Sequence, residues 1–215
     1  MKLFDWATFY KHTRERPPWP RMTRAVSLVA HRDRALDLGC GAGRDTRYLL
    51  EQGFQVTAVD ADANALAILA TFPQEKLRAV QSSFVDFVFG SYDIINAHFS
   101  LPFLAREQFN AVFGKVRQAL APQGIFVGQF FGTHDEWNTP ERATTMTFLT
   151  RDEAVQVLQG LDIVELEEED IDSVVADGSP KHWHVFHIIA RKPTRIQSSP
   201  IALRPPPLPD DSLRE

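Results

Sequence analysis

The stretch Ala35-Leu36-Asp37-Leu38-Gly39-Cys40-Gly41-Ala42-Gly43-Arg44-Asp45 decides how this 215-residue chain is read. A short apolar run carries an acid, three alternating glycines follow, and polar residues then open an amphipathic segment. That is a strand handing over to a helix through a tight turn, the place in an open α/β sheet where nucleotide-like ligands bind. Glycines there admit positive φ and let the backbone approach a ligand closely. A turn that only joins two elements has little need of three.

Outward from the turn, short apolar runs alternate with amphipathic ones, the mark of βαβ units and a mainly parallel sheet. Residues 35–38 read as strand one, followed by a helix that ends at Gly53, a suitable C′ residue. Residues 54–60 read as strand two, and Asp62 caps a helix over 63–71 that Pro73 stops. Strands three and four fall at 77–82 and 92–97. Phe109, Val112, Phe113, Val116 and Leu120 have helical spacing, and Pro122-Gln123-Gly124 breaks that helix before a fifth strand at 125–131. Thr150-Arg151-Asp152-Glu153 matches a capping box, so a helix starts there and runs to near Gly160. Extended runs at 162–169 and 182–191, with polar and turn residues between them, predict a terminal antiparallel pair.

The flanks differ in composition. Residues 1–34 read as a helical cap broken by Arg16-Pro17-Pro18-Trp19-Pro20, because consecutive prolines remove helical donors and extend the backbone. The cap is locally basic, and serves either as a solvated cover packed by Phe4, Trp6, Phe9 and Trp19 or as a lid over a site for something anionic. Residues 194–215 are rich in Pro, Ser, Arg and Asp and predict a disordered tail. The domain proper is then 35–193.

A 44% hydrophobic composition supports one sizeable core, and a net charge of -5 argues against general attraction to nucleic acid or to an anionic membrane. The single cysteine, Cys40, excludes an intramolecular disulfide, Asp5 interrupts any apolar leader, and no run approaches the roughly 18 apolar residues of a membrane helix. These observations predict a reduced, cytoplasmic protein acting on a small molecule, with neither nucleic-acid nor membrane partners.

Two cofactor classes compete for the glycine turn. Dinucleotide binding asks for a third small residue at the end of G-x-G-x-x-G, and that position falls on Arg44 or Thr46, depending on the first glycine chosen. What stands here is Asp-x-Gly-x-Gly-x-Gly, with Asp60 ending strand two 17 residues after Gly43.

The run from Asp37 to Gly43, followed by Val56-Thr57-Ala58-Val59-Asp60, resembles the first two motifs of class I S-adenosylmethionine-dependent methyltransferases. Gly43-Arg44-Asp45-Thr46 and the run 53–60 look most like the small bacterial methyltransferases related to tellurite-resistance methyltransferases. The resemblance covers about 35–191. It implies an α/β fold, a Rossmann-like doubly wound seven-stranded sheet, mostly parallel with a C-terminal antiparallel hairpin, and S-adenosyl-L-methionine as cofactor. It further implies that Asp37 holds the ammonium of the methionine part and that Gly39, Cys40, Gly41 and Gly43 admit the cofactor. Asp60, with Ala61 beside it, would take the ribose hydroxyls, and Asn96 would line the site. The family's third motif places an acid and an apolar residue around the adenine; here the chain reads Ser83-Phe84, so Phe84 can pack on the ring while Ser83 replaces the acid.

The acceptor in such a fold sits beyond strand four, where His98 is either a general base or a histidine satisfied by the backbone. The loop after strand five carries His134, Asp135 and Trp137, which read as a lid with proton-handling groups or as a connection held down by a buried tryptophan. In Lys181-His182-Trp183-His184-Val185-Phe186-His187, alternation puts His182 and His184 on one face and His187 on the other. No metal is predicted, and His182 and His184 are acceptor-pocket candidates. Alternatives are aminopropyl transfer, for which the acids that would hold an amine after strand four are missing, a nicotinamide enzyme, which Arg44 opposes, or a non-catalytic cofactor-binding module.

Overall fold

The computed structural model describes residues 5–194. Two helices precede the sheet, α1 (Trp6–Thr13) and α2 (Pro20–Leu28). Asp5 starts α1 by accepting the Thr8 N–H at 3.2 Å, and Pro20 opens α2 from the first helical position, where its missing N–H costs nothing. Trp19, forced extended by the proline after it (φ -59°, ψ 137°), turns the chain between the two helices.

The alternating pattern then runs β1 (Arg34–Leu38), α3 (Arg44–Glu51), β2 (Gln55–Asp60), α4 (Ala63–Leu69), β3 (Leu77–Gln81), β4 (Tyr92–Ala97), α5 (Arg106–Ala119) and β5 (Leu120–Gly132). After it come β6 (Phe148–Leu149), α6 (Arg151–Val157), β7 (Asp162–Val174) and β8 (Pro180–Arg191). Strand order is β3-β2-β1-β4-β5-β8-β7, parallel from β3 to β5 and antiparallel at β5–β8 and β8–β7. This is the Rossmann-like doubly wound sheet with a C-terminal hairpin, seven strands on one path. The two-residue β6 is an addition, paired with Phe131 and Gly132 beyond the sheet's main body. The winding direction reverses between β1 and β4, which makes their carboxyl ends the expected ligand crevice.

Local chemistry explains the boundaries. Thr150 and Glu153 cap α6 reciprocally, Thr150 N–H to Glu153 Oε2 at 2.8 Å and Glu153 N–H to Thr150 Oγ1 at 3.3 Å. The Pro122-Gln123-Gly124 break ends α5 as read from sequence, yet the chain stays within the sheet. Tyr92 pairs with Leu120 and Ile94 with Ile125, so residues 121–124 bulge out of the ladder, with Gln123 at φ 64°.

Both faces of the sheet are covered. One packs against α5 and α6 through Phe109, Phe113, Phe126, Phe130 and Phe186, all fully buried, with edge-to-face rings at 5.1 Å for Phe109–Phe130 and Phe113–Phe126. The other packs against α2, α3 and α4 through Met22, Val26, Leu49, Ile94, Val127 and Ile189. Along β8, Phe186, Ile188 and Ala190 face the first and Ile189 the second, the period-2 alternation expected of a central strand. No helix among the described residues is long and apolar enough to cross a membrane. The proline-rich segment read at 194–215 lies, apart from Thr194, outside the described residues.

Candidate active site

A cavity of about 310 Å³ opens at the β1/β4 switch point, between the glycine turn, the ends of β2 and β4, the loop after β3, and α1 with the α1–α2 connection. Gly39, Gly41 and Gly43 all have positive φ (76°, 49° and 79°). Gly39 N–H and Cys40 N–H both donate to Val59 O, at 2.8 and 3.2 Å, which lashes the turn to β2. A Cβ on Gly39 would strike the side chain of Ser100, and one on Gly43 would lie 2.6 Å from Leu69 Cδ2. The turn is therefore closed to side chains on both grounds, conformation and space.

Two carboxylates are buried beneath it. Asp37 accepts from Thr46 Oγ1 at 2.5 Å and from Asn96 Nδ2 at 2.8 Å; Asp45 accepts the Trp19 N–H at 3.2 Å and lies 3.3 Å from the same Asn96 nitrogen. Burial, and then the neighbouring Asp45, push Asp37 up to about 7, against the lowering effect of Thr46 and Asn96. Two buried acids bridged by one neutral amide call for a cation. Asp60, at the end of β2, accepts from Gly41 N–H (2.9 Å) and Asp62 N–H (3.0 Å), and burial raises its carboxyl above the ordinary range. Each of its oxygens keeps a second acceptor position for a ligand hydroxyl.

His98 follows β4 directly, and it is buried. Its Nδ1 sits 2.9 Å from Asp45 Oδ2, at ion-pair distance but out of line for a full hydrogen bond, and Trp19 stacks on its ring with centroids 5.9 Å apart. Among the described residues, His98 Nε2, Ser100 Oγ and Asn96 Oδ1 are buried without a hydrogen-bond partner, and all three residues line the cavity. Orphaned polar atoms of this kind are costly unless a ligand meets them. The next residue, Phe99, is held at φ 48°, with its N–H donated to Gln129 Oε1 at 2.9 Å.

Glycine turn, buried acids, terminal Asp60 and orphan donors and acceptors together fit an amino-acid and ribose-bearing ligand. Residues 35–124 match the model of a methyltransferase domain. Over that stretch, 90 of the 215 residues, the chain is similar to methyltransferase domains. Beyond the domain, similarity is broad but distant. A putative methyltransferase of Bacillus subtilis is 25% identical over 163 residues, 71% of this chain and 63% of the relative. Carboxy-S-adenosyl-L-methionine synthase of Stutzerimonas stutzeri is 29% identical over 133 residues, 52% of each chain. This chain thus spans about half to under two thirds of the length of these curated relatives. In fold it is similar to TehB from Haemophilus influenzae, with a TM-score of 0.69 and 19% identity over 81% of this chain and 62% of that one.

Of the residues singled out from sequence, Asp37, Gly39, Cys40, Gly41, Asp60, Ala61, Ser83, Phe84, Asn96 and His98 line the cavity. Gly43 stands behind the turn, as the left-handed cap of α3 packed on Leu69 and Phe72. Ser83 Oγ donates to Asp86 Oδ2 at 2.7 Å.

His134, Asp135, Trp137, His182 and His184 are not among the cavity's lining residues. Asp135 is buried with both oxygens engaged, Oδ1 by Lys181 Nζ (2.6 Å) and the Trp137 N–H (3.0 Å), Oδ2 by the His184 N–H (3.3 Å). Lys181 in turn lies 3.9 Å from the Trp183 ring centre and 4.6 Å from that of Trp137. These contacts hold the loop against β8. Gly132 serves contact rather than flexibility, since the His184 ring fills the space a Cβ would take.

His134, Asp170 and His184 offer ligand-type atoms within 4.8 Å of one another. His184 Nδ1, however, accepts the His134 N–H at 3.0 Å, which leaves the ring proton on Nε2 beside Glu168 Oε1 (3.0 Å). A metal would need that nitrogen bare, so the tautomer opposes one. His187 faces α2, buried, and burial together with Arg21 and His98 lowers its imidazolium to about 3.

Sequence reading missed Asp45, Trp19, Tyr10 and Ser100. Asp45 carried a signal, an acid in the first turn of a helix that opens from a ligand turn. Tyr10 carried none, because only folding sets α1 across the turn, where a Cβ on Gly41 would meet the Tyr10 ring at 3.2 Å.

Proposed function

We propose that this domain methylates a small molecule, with His98 as the general base and Asp45 as the residue that positions it. S-adenosylmethionine, when bound, supplies a methyl group on a sulfonium, which needs alignment and a dry site more than acid catalysis. Asp37, with Asn96 and Asp45 behind it, would hold the ammonium, Asp60 the ribose hydroxyls, and Phe84 the adenine. Tyr10, raised well above the ordinary phenol range by burial and by Asp60 and Asp62, stays protonated and covers the ribose end from α1.

The observation that carries this reading is His98, buried beside Asp45 with Nε2 unpartnered and its residue lining the cavity. Asp45 next to Nδ1 favours the tautomer in which Nε2 is free to take a proton, the same logic that orients histidine bases elsewhere. A small rotation of the ring brings Nδ1 into line, as catalytic hydrogen bonds commonly tighten on substrate binding. The cavity is enclosed by α1 and the α1–α2 connection, which favours a small acceptor over a polymer. Incubation with methyl-labelled cofactor and a cell extract tests this: label should appear in low-mass products and fall at least a hundredfold with His98→Gln. Label in protein or nucleic acid instead would refute the small-molecule assignment.

A further inference from the structure

Resting on the methyl-transfer reading, we infer that the acceptor is a flat aromatic molecule bearing a phenol-type hydroxyl. The wall around His98 consists of rings in mutual contact. Phe9 meets Trp6 at 5.9 Å, Trp6 meets Phe103 at 5.2 Å, and Trp19 meets Phe99 at 5.0 Å and stacks on His98 itself. All of these residues line the cavity. Rings assembled this way favour a planar π-surface, which gains stacking and edge contacts that an aliphatic chain does not.

Charge separates the two halves of the cavity. Its acids, Asp37, Asp45, Asp60 and Asp62, all sit on the glycine-turn side, linked to that turn or to one another through Asn96, Thr46 and the backbone. Of these only Asp45 reaches the ring wall, and there it accepts the Trp19 N–H and stands beside His98 Nδ1, so a cationic amine would have to displace the histidine from it. The polar atom left open beside the Trp19 ring is His98 Nε2, while Ser100 Oγ, also unpartnered among the described residues, lies against Gly39. His98 Nε2 suits a neutral hydroxyl, which gives its proton to the imidazole. A hydroxyl is also the nucleophile that most needs a base, since a thiol ionises more readily and a neutral amine attacks before it loses its proton.

Phe99 adds an independent pointer. A bulky residue at φ 48° is strained, and such strain collects where a site over-determines the backbone. Gln129, buried in β5, holds it there and so fixes a ring of the wall next to the base. In the reaction the oxygen's lone pair forms the bond to the methyl carbon and the carbon–sulfur pair stays on sulfur. The hydroxyl proton passes to His98 Nε2 and then to solvent.

The test uses the full chain and four probes: 2-naphthol, 2-naphthylamine, the saturated alcohol decahydro-2-naphthol, and S-adenosylhomocysteine as the control for the cofactor site. With labelled S-adenosylmethionine, 2-naphthol should be methylated at a kcat/KM at least tenfold above the other two acceptors. Phe9→Ala and Trp6→Ala should each raise KM for 2-naphthol roughly three- to tenfold, with kcat little changed and S-adenosylhomocysteine affinity intact. Equal or better turnover of the saturated alcohol or the amine overturns the inference, as does a failure of 2-naphthol to bind when S-adenosylhomocysteine does. If S-adenosylhomocysteine itself does not bind, the methyl-transfer reading fails instead.

Discussion

Cofactor affinity should depend on pH through one buried acid. Asp37 is completely buried beside Asp45 and is held up to about 7, so near neutrality it is divided between neutral and ionised forms. Only the carboxylate can pair with the ammonium of the cofactor, and affinity scales with the fraction of protein in that competent form. At pH 6 about one tenth of the protein is ionised there, and at pH 7.5 about three quarters. The sign follows: raising the pH over this window should tighten S-adenosylhomocysteine binding, by about eightfold. Asp37→Asn should flatten the profile and, at pH 7.5, weaken binding by about tenfold or more through loss of a charge-assisted contact. Calorimetry at fixed ionic strength measures both. An Asp37→Asn variant with the wild-type profile, or wild-type affinity that does not change from pH 6 to 7.5, would refute this reasoning.

Asp60→Ala should weaken S-adenosylhomocysteine binding about tenfold or more while leaving the unfolding midpoint nearly unchanged, which calorimetry and denaturant titration can separate. Phe130→Ala removes a fully buried ring set edge-on to Phe109 and Phe113 and should cost about 3–5 kcal/mol in chemical denaturation. His182 lies 2.7 Å from both Asp172 and Asp170, and these hydrogen bonds raise its imidazolium above the ordinary 6.5. Its contribution is therefore complete below about pH 6.5 and lost as pH rises through the raised value. Hydrogen exchange at the Glu136 amide, bonded to His182 O, should lose protection over that range, and His182→Gln should abolish the dependence.

The two faces of legibility in this chain have physical causes. Strands, helix caps and the glycine turn were readable because each rests on local chemistry: alternation in β8, the reciprocal cap at Thr150 and Glu153, and three glycines where no Cβ fits. The bulge at 121–124 was half readable, since proline and glycine announce a break but not whether the chain leaves the sheet. The contacts that hold His134, Asp135 and Trp137 were hidden for a different reason. Position at the carboxyl end of a strand suggested function, whereas Lys181, 46 residues from Asp135 and tied to it by no sequence period, supplies the partner that ties the loop down. The same is true of Trp19, whose N–H reaches Asp45 across 26 residues. Contacts between distant segments of that kind carry no periodicity to find.

The most direct measurement is the single-turnover rate of methyl transfer in wild type and in His98→Gln, with S-adenosylhomocysteine affinity measured alongside. The account predicts a loss of about 10²- to 10⁴-fold in the variant, and cofactor affinity within twofold of wild type. A variant that retains its rate, or that loses rate and cofactor affinity together, would contradict the assignment of His98 as the base.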